Sequence, residues 1–178
     1  MAAYSTSRIS DLHALSMDKT RSTTVRGRAF EDWFCYLLDQ VPGFRTRKDT
    51  LNEFHSEEID IAVANSKLHD MGCFPNLFLV ECKNWSDPVD SPTVGAFIDK
   101  LANRRIELGI LVAANGVTGD PRELTAVYHK ASSAQTRGHR LLVITINELL
   151  KVTTTQELTT LLIEKLLDVI ASGTFRLS

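Results

Sequence analysis

Two short, continuously apolar runs separated by an amphipathic helix constrain the fold of this chain most strongly. Residues 77–80 (Leu-Phe-Leu-Val) and 110–112 (Ile-Leu-Val) are apolar at every position, as in strands that are buried on both faces of a sheet. Between them, Ser91-Pro92 is typical of a helix start, and apolar residues at helical spacing continue toward Glu107. The order strand, helix, strand predicts an α/β fold with helices on both faces of a central mixed sheet.

The remaining patterns extend this prediction to one three-layer α/β/α domain. Residues 1–22 are rich in Ser and Thr and are interpreted as a flexible N-terminal arm. Residues 23–178 are interpreted as a single domain that ends in a C-terminal helix. Its other predicted elements are a helix over residues 30–41, strands over 44–47, 58–64 and 141–146, a helix that Asp120-Pro121 caps with Glu123 in its first turn, and a helix that begins at the capping box Thr154/Glu157.

Composition excludes several classes of protein. No apolar run approaches the roughly 20 residues that span a bilayer, and the N-terminus has no apolar segment of the kind found in secretory signals. The three cysteines, Cys35, Cys73 and Cys82, are widely spaced and form no C-x-x-C pair, which argues against a disulfide framework or a zinc site. We therefore expect a cytoplasmic protein with no membrane partner.

The net charge of −2 conceals an uneven distribution of charged residues. Residues 51–90 hold eight acidic and two basic side chains, whereas the segments on either side are mildly basic. This pattern fits either a solvated acidic loop or carboxylates that hold a divalent cation beside surfaces that hold a polyanion. Basic residues that are either phosphate contacts or scattered surface charges are Lys100, Arg104, Arg105, Arg122, Lys130, Arg137 and Arg140.

Charged residues at strand ends are the strongest candidates for chemistry. Alternation along a strand places Glu81 and Lys83 on one face at the end of the buried run, and it places Asp60 on the polar face of the preceding strand. If these strands are neighbours, Asp60 and Glu81 converge, and a hard cation such as Mg²⁺ would relieve their repulsion. The alternatives are a weak surface ion pair and a strand-end carboxylate that is bonded to a loop. Glu31 lies on a helix flank, roughly 80° from the apolar stripe, where it either reaches the site or is a polar rim residue.

These pieces, taken in order, resemble the PD-(D/E)xK nuclease superfamily, and in particular the Mrr-like restriction endonuclease catalytic domain. The resemblance covers roughly residues 24–150. It is carried by three segments, Gly27-Arg28-Ala29-Phe30-Glu31 on a helix, Glu58-Ile59-Asp60-Ile61-Ala62 on a strand, and Val80-Glu81-Cys82-Lys83-Asn84-Trp85 on the next strand. The chain departs from the family pattern at Ile59, where proline is common, and at His55-Ser56-Glu57-Glu58, which replaces a glycine-rich lead-in.

The resemblance implies a restriction-endonuclease-like fold and a Mg²⁺-dependent deoxyribonuclease, with Mn²⁺ as an alternative ion. It implies that Asp60, Glu81 and the backbone carbonyl of Cys82 bind the metal, and that Glu31 completes the metal shell directly or through water. Lys83 would orient or help deprotonate the attacking water and neutralise charge on the scissile phosphate. The side chain of Cys82 points to the core, which favours a buried thiol over a nucleophile.

The implied partner is DNA, cleaved in microbial defence, restriction or DNA processing. Specificity would come from the chain's own loops, from a homodimer or from a partner subunit. The apolar residues of the last helix cover more than one stripe, so this helix is either deeply buried or shared with another chain. Two competing hypotheses remain. The chain is either a non-catalytic nucleic-acid-binding or oligomerisation subunit of the same fold, or a structural dimerisation protein.

Overall fold

The computed structural model describes residues 2–51, 58–119 and 125–177. Within these ranges the chain forms six α-helices and five strands. The helices are α1 (Thr6–Met17), α2 (Thr23–Asp39), α3 (Ser91–Asn103), α4 (Ala126–Thr136), α5 (Ile146–Leu149) and α6 (Thr155–Ser172). The strands are β1 (Phe44–Leu51), β2 (Glu58–Asn65), β3 (Leu77–Lys83), β4 (Leu108–Ala113) and β5 (Arg140–Ile144), and a 3₁₀ turn covers His69–Cys73.

The five strands form one mixed sheet in the order β1-β2-β3-β4-β5. The pairs β1–β2 and β2–β3 are antiparallel, whereas β3–β4 and β4–β5 are parallel and are joined through α3 and α4. Every residue of β4 is buried, as its apolar run predicts for a strand that is covered on both faces. The predicted α/β class with a central mixed sheet and a restriction-endonuclease-like architecture is confirmed.

Helices cover both faces of this sheet. On one face, α3 packs so closely on β4 that a Cβ atom at Gly109 would lie 2.6 Å from the Leu101 side chain. On the other face, α2 contacts β1, where the Cys35 thiol lies 3.2 Å from the hydroxyl of Thr46. The sheet therefore separates a face covered by α3 from a face covered by α2.

The N-terminal segment differs from the expected flexible arm, because residues 6–17 form helix α1 against α2. The buried Tyr4 donates its hydroxyl hydrogen bond to the Leu37 carbonyl at 2.9 Å, and the His13 ring lies 5.2 Å from the ring of Trp33. The apolar face of α1 is only partly covered, because Leu15 remains 37% exposed. The segment is held by contacts of Tyr4 and His13 with residues far away in the sequence. The spacing of apolar residues does not predict such contacts.

Helix boundaries agree with the capping signals with small shifts. Thr154 and Glu157 form the predicted capping box of α6. The N-cap of α3 is Asp90 and not Ser91, and α3 ends at Asn103, before the expected Glu107. The predicted cap at Asp120-Pro121 with Glu123, as well as Arg122 and residues 55–57, lies outside the described residues.

None of the helices in the described ranges combines the length and the apolar character that crossing a membrane requires. All three cysteines are described and carry free thiols.

Candidate active site

Asp60 and Glu81 lie side by side where β2 and β3 stop pairing. The last pair at this end of the ladder is Ile61 with Val80, and Asp60 and Glu81 are the next residue on each strand. Asp60 is 9% exposed and Glu81 is 6% exposed. The Asp60 carboxylate accepts the Cys82 backbone N–H at 2.7 Å. The structure thus brings together the two carboxylates that the sequence pattern placed on one face.

Two lysines neutralise Glu81, one on each carboxylate oxygen. Lys83, from the same strand, places its Nζ 2.7 Å from Oε1. Lys100, from α3, places its Nζ 2.8 Å from Oε2 and also donates to the backbone carbonyl of Glu58 at 2.9 Å. Both lysine side chains are about four-fifths buried, at 20% and 18% exposed. The predicted Glu81–Lys83 pair is therefore mostly removed from solvent, unlike a surface ion pair.

Lys100 is a site residue that sequence reasoning assigned only to a group of basic residues. Its signal is indirect, because Lys100 borders the buried stripe of Phe97, Ile98 and Leu101 on α3. A residue on that border lies over the sheet if α3 covers the polar face of β3. Choosing that face requires the tertiary packing, which the spacing of apolar residues does not provide.

The electrostatics of the site follow from this crowding. Burial and, after it, the charge of Glu81 together raise the pKa of Asp60 to about 6, although the Cys82 N–H and the two lysines act to lower it. Burial alone would lower the pKa of Lys83, but attraction to Glu81 and the hydrogen bond with it outweigh burial and raise that pKa. Asp60 thus carries a charge that its surroundings disfavour, whereas the charge on Lys83 is favoured.

Cys82 separates the site from α2 and carries a protonated thiol. Burial raises the pKa of this thiol well above its ordinary value, and the charges of Asp60, Glu31 and Glu81 raise it further. The prediction of a buried thiol is confirmed. Glu31 is half-buried on α2, and its charge acts on the Cys82 thiol. Its membership of a metal shell stays a prediction.

Asn84 and Trp85 continue β3 beyond the site. The Asn84 amide donates to the backbone carbonyls of Ser16 at 2.8 Å and Arg26 at 3.3 Å, so it ties the end of β3 to the last turn of α1 and the first turn of α2. Trp85 is 44% exposed, and its ring centroid lies 6.0 Å from the Lys83 ammonium. The site therefore opens to solvent beside an aromatic ring.

The oxygen donors of the site suit a hard divalent cation. Among residues 2–51, 58–119 and 125–177, no three His, Cys, Asp or Glu side chains are arranged to hold a metal ion. Asp60, Glu81 and the Cys82 carbonyl nevertheless match the usual Mg²⁺ environment, which has one or two carboxylates and leaves other positions to water or phosphate. The disfavoured charge of Asp60 is the observation that supports this fit, since a cation there would stabilise it.

Basic residues line the open part of the sheet face that carries Asp60. Arg47 and Arg45 on β1 pair with Ala62 and Ala64 on β2, and both arginines are exposed. A groove of about 340 Å³ has these side chains along it, with Leu77, Leu79 and Ile106 among its other lining residues. The structure thus provides an exposed, cationic groove on the face of the paired carboxylates.

Comparison with known proteins agrees with this geometry. A family model described as a restriction endonuclease, the Mrr catalytic domain, matches residues 22–152. No curated protein matches the chain. The matched segment contains α2, all five strands and the Asp60, Glu81 and Lys83 cluster. The chain therefore belongs to the Mrr-type restriction endonuclease family and contains a restriction-type nuclease domain.

Proposed function

We propose that this protein is a metal-dependent endonuclease that hydrolyses phosphodiester bonds in DNA. The observation that carries the proposal is the pair of buried carboxylates, Asp60 and Glu81, with Lys83 bound to Glu81 at the end of β3. Burying two carboxylates side by side is costly unless a cation compensates them. In a nuclease domain, this arrangement suits an Mg²⁺ ion, or Mn²⁺ in its place.

Asp60, Glu81 and the Cys82 carbonyl would hold the metal, and Glu31 would support it directly or through water. When bound, the ion supplies a hydroxide nucleophile near neutral pH and stabilises negative charge on the phosphate. The Cys82 N–H holds Asp60 in place. Glu81 would exchange part of its contact with Lys83 and Lys100 for contact with the ion.

Lys83 would act as a cation beside the scissile phosphate. Its raised pKa keeps the ammonium protonated, which favours orientation of water and neutralisation of phosphate charge over proton abstraction. An ammonium is a compact charge on a flexible stem and can move from Glu81 to a phosphate oxygen. Lys100 holds the second oxygen of Glu81 and would keep that carboxylate in position while Lys83 moves.

DNA would enter along the groove that Arg45 and Arg47 border. Phosphate contacts from arginine supply much of the affinity of proteins for nucleic acid. Arg47 pairs with Ala62, two residues from Asp60 on the same face, so a backbone held by Arg47 passes next to the carboxylates.

The test is cleavage of plasmid and linear DNA with Mg²⁺ or Mn²⁺, beside an EDTA control. Asp60→Ala and Lys83→Ala should each reduce cleavage by at least about 100-fold. Matched controls are Asp11→Asn and Lys19→Ala, which change exposed residues on α1 and in the loop after it and should leave the rate unchanged.

The outcomes separate the hypotheses. Cleavage that survives both site substitutions contradicts the assignment. DNA binding without cleavage indicates a non-catalytic subunit of the same fold, and the absence of both binding and cleavage indicates a structural protein.

The proposed setting is a cytoplasmic microbial defence, restriction or DNA-processing system, in which three free thiols suit a reducing compartment. We also propose self-association through α6, on which Leu167 and Ile170 remain 58% and 52% exposed. A solution mass equal to one chain would contradict self-association, and specificity would then rest on the chain's loops or on a partner subunit.

A further inference from the structure

Three arginines at the far end of the parallel strands take no part in the proposed chemistry. Arg105, Arg137 and Arg140 line a cavity of about 500 Å³ between the loops that follow α3 and α4, together with His139 and Glu107. Arg105 and Arg137 are exposed, and Arg140 is half-buried. With Glu107 as the acidic residue of this lining, the arginine cluster carries a net charge of +2 when His139 is neutral.

The loop after α4, which borders the cavity, ends its helix without backbone strain. The His139 N–H donates to the Ala134 carbonyl at 2.9 Å, and the Gly138 N–H donates to the Gln135 carbonyl at 2.9 Å. These two bonds form a Schellman motif, whose left-handed residue is usually glycine. Here Gly138 takes that position with φ of 90°.

The loop after α3 has the same motif but places arginine in the left-handed position. The Ile106 N–H donates to the Leu101 carbonyl at 2.9 Å, and the Arg105 N–H donates to the Ala102 carbonyl at 3.1 Å. Arg105 has φ of 53°, a conformation that costs a residue with a side chain about 1–3 kcal/mol. The attraction of an exposed cation to a helix C-terminus is worth only about 0.3–1 kcal/mol. Stability therefore does not account for arginine at this position.

The arginine cluster adjoins the groove on the sheet face through neighbouring residues of the chain. Ile106, next to Arg105, lines the end of the groove that Arg45 and Arg47 border. Along the strands, the pair Leu108 and Arg140 lies three residues before Leu111, the partner of Glu81, which is roughly 10 Å. Alternation puts the Arg140 side chain on the opposite face from Glu81. A polyanion in the groove would therefore reach Arg105 beside Ile106 first, and Arg140 only around the end of the sheet, through the cavity that these arginines share.

We propose that Arg105, Arg137 and Arg140 bind the phosphate backbone of duplex DNA outside the segment that is cleaved. The proposal rests on the proposed function for the identity of the polyanion. It assigns the cluster a role in holding a flanking part of the duplex, separate from metal binding and hydrolysis. Substrates that end before the cluster lose these contacts, and longer duplexes gain them.

The test is binding of a fluorescently labelled duplex of about three helical turns (~30 base pairs), measured by anisotropy in EDTA over a range of salt concentrations. Arg105→Gly removes one charge and gives the left-handed position its preferred residue. It should therefore keep or raise the midpoint of thermal unfolding while it lowers the slope of log affinity against log salt by about 1. The combined Arg105→Gly, Arg137→Gln and Arg140→Gln variant should lower that slope by about 2 to 3.

Lys67→Gly is the matched control. Lys67 is also basic and exposed, and its φ of 56° makes it the other residue with a side chain and a positive φ among the described residues. It lies in the connection after β2 and lines neither the groove nor the cavity of the arginine cluster. Its substitution by glycine should relieve similar strain and leave the salt slope for DNA unchanged.

Each result decides the matter. An unchanged salt slope in the combined variant, an equal loss in Lys67→Gly, or wild-type protein that binds no duplex at low salt would each overturn the proposal. This binding experiment does not measure hydrolysis, which the cleavage assay tests separately, so the arginine-cluster proposal and the nuclease proposal fail independently. DNA cleavage with an unaltered salt slope refutes only the arginine cluster, and a lowered slope in a protein that does not cleave refutes only the nuclease.

Discussion

Asp60 links the stability of the protein to pH through a single buried carboxyl group. Its pKa of about 6 in the folded protein lies above the ordinary value of 3.8, because the group is buried beside Glu81. The folded state therefore holds a proton that the unfolded state releases between these values. The resulting stabilisation is complete below about pH 4 and is lost as pH rises through about 6.

Substituting Asp60 by Asn should stabilise the metal-free protein at neutral pH. The amide is never charged, and its oxygen can still accept the Cys82 N–H, so the free energy of unfolding should rise by about 2–3 kcal/mol at pH 7.5. At pH 4 the gain should disappear. Urea unfolding of both proteins in EDTA at the two pH values measures this difference.

Asp11→Asn provides the comparison for that experiment, since Asp11 is an exposed carboxylate on α1. A gain in Asp60→Asn that is equal at pH 4 and pH 7.5 would contradict the assigned cause. Such a gain would mean that packing, and not the charge of Asp60, limits stability.

At the same scale, the sequence predicted the convergence of Asp60 and Glu81 but not the second lysine. Alternation along β2 and β3 determines which side chains share a face, and consecutive strands often pair. Lys100 reaches Glu81 from α3, and its position depends on where that helix crosses the sheet. Periodicity identifies the buried stripe of a helix but not the strand below it.

At the level of elements, Asn84 joins the site to the N-terminal helices. One amide group serves the carbonyls of Ser16 and Arg26, at 2.8 and 3.3 Å, and Ser16 is fully buried. These bonds hold the end of α1 and the start of α2 against the residue that follows Lys83. The N-terminal segment is thus part of the support of the site.

Asn84→Ala should destabilise the protein by about 1–3 kcal/mol, because it leaves two backbone carbonyls without this donor. We also expect faster proteolysis in the connection between α1 and α2. Urea unfolding and limited trypsin digestion at Lys19 and Arg21 measure the two effects. Unchanged digestion rates would show that the packing of α1 on α2 alone holds the segment.

The helices and strands with strong local sequence patterns were predicted, and those with weak patterns were not. Buried strands β3 and β4 and the capping box of α6 carry strong patterns, and the structure has them. Helix α1 carries a weak stripe, and its place depends on distant partners such as Leu37, which accepts the Tyr4 hydroxyl. Contacts between residues far apart in sequence leave no periodic signal in the segment they hold.

For the whole molecule, the distribution of charge matters more than the total of −2. The acidic excess of residues 51–90 includes Asp60 and Glu81, whereas Arg45, Arg47 and the arginine cluster lie along the groove and at its end. A duplex in the groove would thus contact the cationic side chains and meet the two carboxylates beside Arg47. Those carboxylates repel phosphate at close range unless a cation compensates them.

Duplex binding should therefore depend on the divalent ion, separately from hydrolysis. Lys83→Ala, impaired in cleavage, should bind duplex DNA on the order of tenfold more tightly in Mg²⁺ than in EDTA, equivalent to about 1.4 kcal/mol. The double variant Asp60→Asn and Glu81→Gln should bind well in EDTA and more weakly in Mg²⁺, since the ion then only competes for phosphates. Anisotropy at constant ionic strength measures both. If Mg²⁺ weakens binding equally in the two proteins, the carboxylates do not repel the duplex and the groove is not its path.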